Sequence, residues 1–271
     1  MRIICFIIGC FFLNISVTEL NAQILKFKGG HSHNDYAQKR PLFEAVEHGI
    51  VSVEADIYLR DGKLLVGHDE KDLTVERTLE SLYLRPLLKL NTNPNKKFSP
   101  IILMIDIKDK GEETYTELKK VLFSYRGILT RFVNNRMEQN SVTIIISGER
   151  PVEILRNETE RYVFLDGRIS DLENSENSNL FPLISDDWDK YFSWKGIGEI
   201  SSEELGKLIE IVEACHLQNK MIRFWGISNE LPATNACWSI LWKAGVDLIG
   251  CDCPSCLEQY LEKSAKNKIE E

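Results

Sequence analysis

Short apolar runs rich in Val and Ile alternate along most of the chain with segments whose apolar residues recur every three or four positions. The runs are typical of β-strands covered on both faces, and the segments are typical of amphipathic helices. Strand followed by helix, repeated eight times, predicts parallel βα units. "KLLVGHD" is counted as an extension of the second strand. The predicted strands are "ILKFKGGH", "VSVEADIYL", "PIILMIDIK", "VTIIISG", "RYVFLDG", "LFPLISD", "KMIRFWGI" and "VDLIGCD".

The repeated pattern predicts an α/β fold, a single (β/α)8 TIM-type barrel over residues 23–271. An open doubly wound sheet is the alternative, but no glycine-rich phosphate loop opens any predicted helix. "NTNPNKKFS" and "ENSENSN" are predicted loops, and neither is long enough to be a domain. The predicted helices include "PLFEAVEHG", "TLESLYLRPLLKL", "ETYTELKKVLFSY", "SEELGKLIEIVEACHLQ" and "ATNACWSILWKAG".

Carboxylates interrupt two of the apolar strands near their C-terminal ends, where barrel enzymes carry their chemistry. Side chains alternate along a strand, so Glu54 and Asp56 share one face, as do Met104, Asp106 and Lys108. Three carboxylates in an apolar mouth are costly to desolvate, and a divalent cation offsets that cost. Oxygen ligands favour Mg²⁺ or Ca²⁺ over zinc. Salt bridges to Lys108 or nearby arginines are the alternative.

Two histidines flank these carboxylates in the predicted barrel. His31 ends the first strand and His68 follows the second. Because imidazole titrates near neutral pH, the two can act as acid and base in one turnover. His48, at a helix end, and His216, inside a helical pattern, are interpreted as structural. His33 is interpreted as a support for His31. "HSH" also resembles a zinc motif of amidohydrolase barrels, but such sites need further histidines on later strands.

The motifs, taken in order, resemble those of the glycerophosphodiester phosphodiesterases and the wider phospholipase-C-like phosphodiesterase superfamily. "VEADIYLRDGKLLVGHD" is similar to the family's "IELDVHLTKDGVPVVxHD", and "MIDIK" resembles "IEIK". "IRFWGIS" resembles "VxxWTVN", and "GVDLIGCDCP" resembles "GVDGIITDYP". "HSHNDY", "SVEADI" and "RFW" look closest to a branch that includes the fungal altered-inheritance-of-mitochondria protein 6.

This resemblance implies a role for individual residues. It implies a (β/α)8 barrel with the divalent cation on Glu54, Asp56 and Asp106, and an acid–base pair. The pair is His31 and His68, because Gly30, His31 and Asn34 fit the Gly-His-x-x-Asn opening of the related spider-venom phospholipases D. The implied substrate-binding residues are Lys108 near the phosphate, Asn34, Trp225 and Asp252 at the mouth, and Arg60.

Three departures from the family pattern bear on the substrate. The usual His-Arg-Gly reads His31-Ser32-His33, so Arg40 or Arg60 is expected to replace the missing arginine. The family's "PEN" stretch is absent. Residues 69–100 form a shorter segment than the cap that many glycerophosphodiesterases insert at this point. The sequence therefore leaves open whether the substrate contains glycerol phosphate. Trp188, Trp194 and Trp225 form either an apolar lip for an acyl chain or ordinary packing.

Composition narrows the class of partner. Hydrophobic residues at 43% and charged residues at 27% are typical of a soluble globular protein. The net charge of −8 argues against a nucleic-acid partner and disfavours anionic membrane surfaces. A phosphodiester substrate, either a small molecule or a lipid, stays compatible, because a cation with local Lys or Arg reverses the sign inside one cleft.

Residues 1–22 have the composition of a secretory signal peptide, with Arg2 before an apolar run and Ala22 at its end. We therefore expect export to the periplasm or medium and no stable membrane anchor after cleavage; an uncleaved anchor is the alternative. In "CDCPSC" a metal or a disulfide is possible, but small buried residues at a strand end are the preferred interpretation.

These observations predict an exported metal-dependent phosphodiesterase that cleaves a glycerophosphodiester- or phospholipid-type diester by histidine acid–base catalysis. The alternatives are a barrel that binds a phosphorylated or sugar ligand without cleaving it, and a zinc amidohydrolase-like hydrolase. The sequence leaves open the head group, the choice of metal, hydrolysis against cyclisation, and the oligomeric state.

Overall fold

The computed structural model describes residues 27–94, 98–173, 179–228, 230 and 232–267. The predicted signal peptide, residues 1–22, lies outside this range. The strands are β1 (Gly29–Ser32), β2 (Ser52–Arg60), β3 (Lys63–Val66), β4 (Ile101–Ile107), β5 (Arg131–Val133), β6 (Arg136–Glu138), β7 (Val142–Gly148), β8 (Val163–Gly167), β9 (Leu183–Asp187), β10 (Met221–Trp225) and β11 (Leu248–Cys251).

Eight of these strands are parallel and close into a barrel in the order β1, β2, β4, β7, β8, β9, β10 and β11. Closure comes from β1, in which His31 is opposite both Ser52 of β2 and Gly250 of β11. The predicted (β/α)8 barrel is confirmed. β3, from "KLLVGHD", turns back antiparallel to β2 and carries His68 to the mouth.

The helices are α1 (Phe43–Glu47), α2 (Arg85–Asn91), α3 (Gly111–Phe123), α4 (Val152–Asn157), α5 (Trp188–Tyr191), α6 (Ser202–Leu217), α7 (Ala233–Ala244) and α8 (Pro254–Asn267). Local sequence explains the longest of them. The hydroxyl of Ser201 accepts a hydrogen bond from the Glu204 N–H at 3.1 Å and caps α6. Leu208, Val212 and Cys215 then bury one helical face.

Strand alternation produces two separate apolar cores. Outward residues such as Leu103 and Ile105 of β4 pack with buried helix residues such as Leu118 and Leu208. Inward strand residues, together with Phe27 before β1 and with Phe132 and Met137 of the β5–β6 hairpin, form a second cluster towards the N-terminal ends of the strands. It contains Phe27, Ile102, Met104, Phe132, Met137, Ile145, Phe164, Leu183, Met221 and Leu248. We call this cluster the apolar plug, because it closes the barrel interior at the N-terminal ends of the strands.

Two features differ from the sequence-based expectation. A β5–β6 hairpin turns at Asn134 and Asn135, which both have positive φ. Cys253 and Cys256 form a disulfide, so the interpretation of "CDCPSC" as buried free residues was right for Cys251 and wrong for these two. Within the described residues, no helix is both long and apolar enough to cross a membrane.

Candidate active site

The three predicted carboxylates meet at the C-terminal mouth of the barrel. Glu54 and Asp56 lie on β2 and Asp106 on the adjacent β4, where Asp56 and Asp106 are paired in register. One oxygen from each carboxylate lies within 4.8 Å of the other two. Such a set of hard oxygen donors fits a divalent cation of the Mg²⁺ or Ca²⁺ type.

The Asp56 carboxylate has hydrogen-bonding or ionic partners on only one of its two oxygens among the described residues. Its Oδ2 atom lies 2.8 Å from the Tyr36 hydroxyl, 2.8 Å from Lys108 Nζ and 3.2 Å from His68 Nδ1. Its Oδ1 atom is buried and has no hydrogen-bond partner among the described residues. A buried carboxylate oxygen left without a partner is destabilising. The orphaned oxygen therefore fits a cation ligand.

Glu54 is held by His31 of the adjacent strand β1 and by Arg223 from across the barrel. Its Oε2 atom lies 2.9 Å from His31 Nε2 and 3.2 Å from Arg223 Nη2 on β10. Burial opposes ionisation, but Arg223 and the His31 hydrogen bond hold the pKa of Glu54 well below its ordinary value. Glu54 is consequently a carboxylate at neutral pH.

His31 lies behind Glu54 and does not line the cavity. It is fully buried; Nε2 donates to Glu54, and Nδ1 lies 2.8 Å from the Ser52 hydroxyl. A carboxylate only accepts, so Nε2 carries the proton and Nδ1 accepts from Ser52. Burial, and secondly Arg223, lower the pKa of His31 to about 4. Both ring nitrogens of His31 are hydrogen-bonded within the protein, and direct proton transfer by His31 stays a prediction.

His33, interpreted from sequence only as a support for His31, faces the cavity. Its Nδ1 lies 2.8 Å from Asp252 Oδ1, and this hydrogen bond raises the pKa of His33 above its ordinary value. Because the carboxylate accepts, Nδ1 carries the proton and Nε2 of the neutral ring is an acceptor. The carboxylate–imidazole pair thus presents a proton-accepting nitrogen.

His68 and Tyr36 both lie against Asp56 at the mouth of the barrel. The His68 side chain is 62% exposed, and Nδ1 is bonded to Asp56. The Tyr36 hydroxyl lies between Asp56 Oδ2 at 2.8 Å and Asn34 Oδ1 at 2.7 Å. Tyr36 therefore ties the "HSHNDY" turn to a candidate metal ligand.

Asp106 and Lys108 lie at the end of β4. Lys108 Nζ is 3.3 Å from Asp106 Oδ2. Burial lowers the pKa of Lys108, but the Asp106 and Asp56 carboxylates outweigh it and raise the pKa above its ordinary value. Burial, with the nearby Asp56 and Glu54, raises the pKa of Asp106 to about 6. Gly148 packs against this carboxylate with φ +69, and an added Cβ would lie 2.2 Å from Asp106 Oδ1.

These groups surround a cavity of about 460 Å³. The predicted residues that line it are Asn34, Glu54, His68, Asp106, Lys108, Trp225 and Asp252. Arg60 does not line it: its guanidinium is engaged by Asp109 and Glu70, so it is not placed to replace the family arginine. Of the three candidate lip tryptophans, Trp225 is 38% exposed, whereas Trp188 and Trp194 are buried core residues.

Sequence reasoning missed Tyr36 and Arg223. Arg223 is a charged residue late in the apolar strand "MIRFW", two positions before Trp225. The rule that singled out Glu54 and Asp106 would have found it. Tyr36 gave no comparable signal, because its contact with Asp56 depends on the path of the turn after β1.

The comparisons with known proteins decide the family. A family model described as "AIM6-like phosphodiesterase domain" matches residues 18–100 and 91–166. The altered inheritance of mitochondria protein 6 homolog of Arthroderma benhamiae is 30% identical over 257 residues, covering 82% of this chain and 80% of that protein. The chain belongs to the AIM6-like phosphodiesterase family. Altered inheritance of mitochondria protein 6 of Eremothecium gossypii is 27% identical, covering 88% of this chain and 70% of that protein.

A solved structure supports the fold of this AIM6-like chain. It is a calcium-dependent phosphoinositol-specific phospholipase C from a Gram-negative Pseudomonas species in its apo form, with a TM-score of 0.57 at 12% identity. The match covers 88% of this chain and 94% of that chain. At this identity the likeness establishes a shared barrel and nothing finer.

Proposed function

We propose that this AIM6-like chain is a divalent-cation-dependent phosphodiesterase. The observation that carries the proposal is the carboxylate cluster of Glu54, Asp56 and Asp106, with an orphaned Asp56 oxygen, in a cavity that also holds two histidines. The phosphodiesterase family and the calcium-dependent structural neighbour support it.

Glu54, Asp56 and Asp106 would hold the cation. When bound, it supplies positive charge that stabilises negative charge developing on the phosphoryl oxygens. Lys108, whose ammonium lies against Asp56 and Asp106, adds a second positive charge beside the phosphate. Arg223 keeps Glu54 ionised from the opposite side of the barrel.

Proton transfer is assigned to His33 and His68. His33 Nε2, oriented by the Nδ1 bond to Asp252, takes the proton of the attacking hydroxyl or water. His68, partly exposed and bonded to Asp56 through Nδ1, acts as an imidazolium and gives its Nε2 proton to the leaving alkoxide. His31 positions Glu54 instead, which replaces the expected acid–base role of His31 by a supporting one.

The substrate class proposed is a glycerophosphodiester- or phospholipid-type diester, as the family motifs imply. Residues 1–22 support export of the chain to the periplasm or the medium. No stable membrane anchor, no nucleic-acid partner and a Mg²⁺ or Ca²⁺ requirement belong to the same proposal.

The first experiment is hydrolysis of bis(p-nitrophenyl) phosphate and glycerophosphodiesters by residues 23–271, with EDTA and then with added Mg²⁺, Ca²⁺ or Zn²⁺. We expect EDTA to abolish turnover, Mg²⁺ or Ca²⁺ to restore it, and Asp56→Asn to lose it. Asp189→Asn, an exposed carboxylate outside the cavity, is the matched control. Turnover that survives EDTA would contradict the metal requirement, and ligand binding without turnover would favour a binding barrel.

A further inference from the structure

The helix that follows the last barrel strand begins with a disulfide next to the candidate site. Cys253, directly before α8, is joined to Cys256 in the first turn of that helix. Leu257, the next residue, is fully buried where a Cβ on Gly30 of β1 would meet it. Core packing therefore anchors this turn on the barrel, and the disulfide ties the preceding chain to the anchored turn.

The residues just before the disulfide hold the turn that carries His33. Asp252 Oδ1 lies 2.8 Å from His33 Nδ1, and the Asp252 carbonyl accepts from Gln38 Nε2 at 2.8 Å. The carbonyl of Cys251 accepts from the His33 N–H at 3.0 Å. The orientation of the His33 ring therefore depends on the two residues that separate β11 from Cys253.

The pair of Asp252 and His33 lies at the surface of the mouth, with side chains that are 50% and 41% exposed. Water competes for a hydrogen bond between such exposed side chains, and packing does little to hold them. Since Cys253 follows Asp252 directly, the disulfide fixes the backbone from which the carboxylate projects. The covalent link thus does what packing does for buried pairs.

The position of the two sulfurs favours exchange with a dithiol. Cys256 is exposed, and Cys253 Sγ accepts from the Cys256 N–H at 3.3 Å at the helix N-terminus, which stabilises a thiolate. One thiolate of the dithiol attacks Cys256 Sγ, and the electron pair of the broken S–S bond leaves with Cys253 Sγ. The second thiol then releases Cys256 from the mixed disulfide. The dithiol is oxidised to a disulfide, and the two cysteines gain two electrons and two protons.

We propose that the Cys253–Cys256 disulfide is a redox-sensitive positioning element for the pair of Asp252 and His33. The inference rests on the proposed function, in which His33 takes the proton of the attacking group. When oxidised, the link holds Asp252 against His33. Reduction by a dithiol frees the residues before α8 and lets the pair separate. Full turnover then requires a compartment in which the disulfide is stable, which agrees with the proposed export.

The test compares the oxidised chain, residues 23–271, with the same chain reduced by dithiothreitol, in saturating Ca²⁺ or Mg²⁺. Both cations prefer oxygen ligands, so the dithiol does not remove them. Alkylation and mass spectrometry establish that Cys253 and Cys256 are reduced. Reduction should lower kcat for bis(p-nitrophenyl) phosphate by about tenfold or more, since a misplaced catalytic group costs up to about 10²-fold.

Two variants control for other effects of the reductant. The double variant Cys253→Ser, Cys256→Ala keeps a capping side chain before α8 and should have the kcat of the reduced chain with or without dithiothreitol. Cys215→Ala removes a buried free thiol outside the cavity and should respond to dithiothreitol as the wild-type chain does. If the double variant does not fold, the reduced wild-type chain supplies the same comparison.

An NMR titration of the histidine rings reads the position of His33 without turnover, with His33→Ala assigning its signal. The hydrogen bond to Asp252 raises the pKa of His33; Glu54 also raises it, while burial and Arg223 lower it. Losing the Asp252 bond should therefore move this pKa down on reduction. The acid limb of the kcat/KM profile should move to lower pH with it, because the base must be unprotonated. A disulfide that only stabilises the fold would change the thermal unfolding midpoint and neither of these.

Each outcome separates the positioning element from the chemistry. A reduced chain that keeps its kcat, or that loses kcat with no shift in the pKa of His33, overturns the positioning role and leaves the phosphodiesterase standing. If neither form cleaves any diester, the proposed function fails, and the NMR titration decides. A lower pKa of His33 on reduction then supports the positioning element, and an unchanged pKa overturns it.

Discussion

The two ends of the barrel interior are built by the same strands and have opposite chemistry. Along β4 the inward residues are Ile102, Met104 and then Asp106, the first two in the apolar plug and the last in the candidate site. Along β8, Phe164 of the plug is followed at the next inward position by Asp166. One step of two residues, about 7 Å, separates the stabilising layer from the polar layer.

The lower layer of the barrel interior therefore holds residues that stabilise the fold, and the upper layer holds residues of the candidate site. Apolar residues in the lower layer lose contact with water on folding, which stabilises the fold. In the upper layer, specific hydrogen bonds hold the carboxylates and histidines, and the carboxylates repel one another. Changes in the upper layer should therefore affect turnover and ion binding, and changes in the lower layer should affect unfolding.

The largest expected effect concerns the two cavity histidines of the upper layer. His33→Ala and His68→Ala should each lower kcat by about 10²–10⁴-fold, because each removes a proton-transfer group. Steady-state kinetics with bis(p-nitrophenyl) phosphate measures this loss. His48→Ala, a half-exposed histidine paired with Glu258 far from the cavity, is the matched control. Full activity in His33→Ala, with loss in His31→Ala alone, would return the acid–base role to His31.

In the lower layer we expect Phe164→Ala to reduce the free energy of unfolding by about 3–5 kcal/mol, because it leaves a cavity in a fully buried plug. Chemical denaturation measures the change. Phe123→Ala, at a side chain that is 58% exposed, should change the free energy of unfolding by less than about 0.5 kcal/mol. Equal losses in the two variants would show that the lower layer is not a packed core.

The smallest expected effect is the pH dependence of cation binding in the upper layer. Asp106 has a pKa raised to about 6, so it is a carboxylate above that pH and becomes neutral below it. Protons then compete with the cation, and the apparent affinity for Ca²⁺ should fall by about tenfold per pH unit below 6. Calorimetric titration between pH 7.5 and 4.5 measures this slope. Asp106→Asn should weaken binding at neutral pH and flatten the slope; an unchanged slope would show that Asp106 is not a ligand.

The barrel was predictable because the repeat of strand and helix patterns and the Val- and Ile-rich strands are both visible in the sequence. Strand alternation also placed Met104 and Asp106 on the inward face, as the structure has them. The β5–β6 hairpin was missed although Asn134-Asn135 between two short β-prone triplets is a recognisable turn signal. The sequence motifs identified the family that the comparisons confirm.

The depth of each side chain was not predictable from alternation alone. His31 and His33 are two residues apart and share a face, so the pattern treats them alike. Closing the barrel staggers the strands, and His31 comes to lie opposite Ser52, below the rim, whereas His33 reaches the cavity.

Gly148 sets a limit on how this protein can vary. Gly148 has a left-handed backbone, and the Asp106 carboxylate lies where a Cβ would be, so no amino acid with a side chain fits at this position. Random mutagenesis followed by selection for turnover should therefore return glycine here even from a saturated library, while tolerating many residues at open glycines such as Gly127. Glycine at position 148 would then be required as strictly as any ionisable residue at the mouth of the barrel.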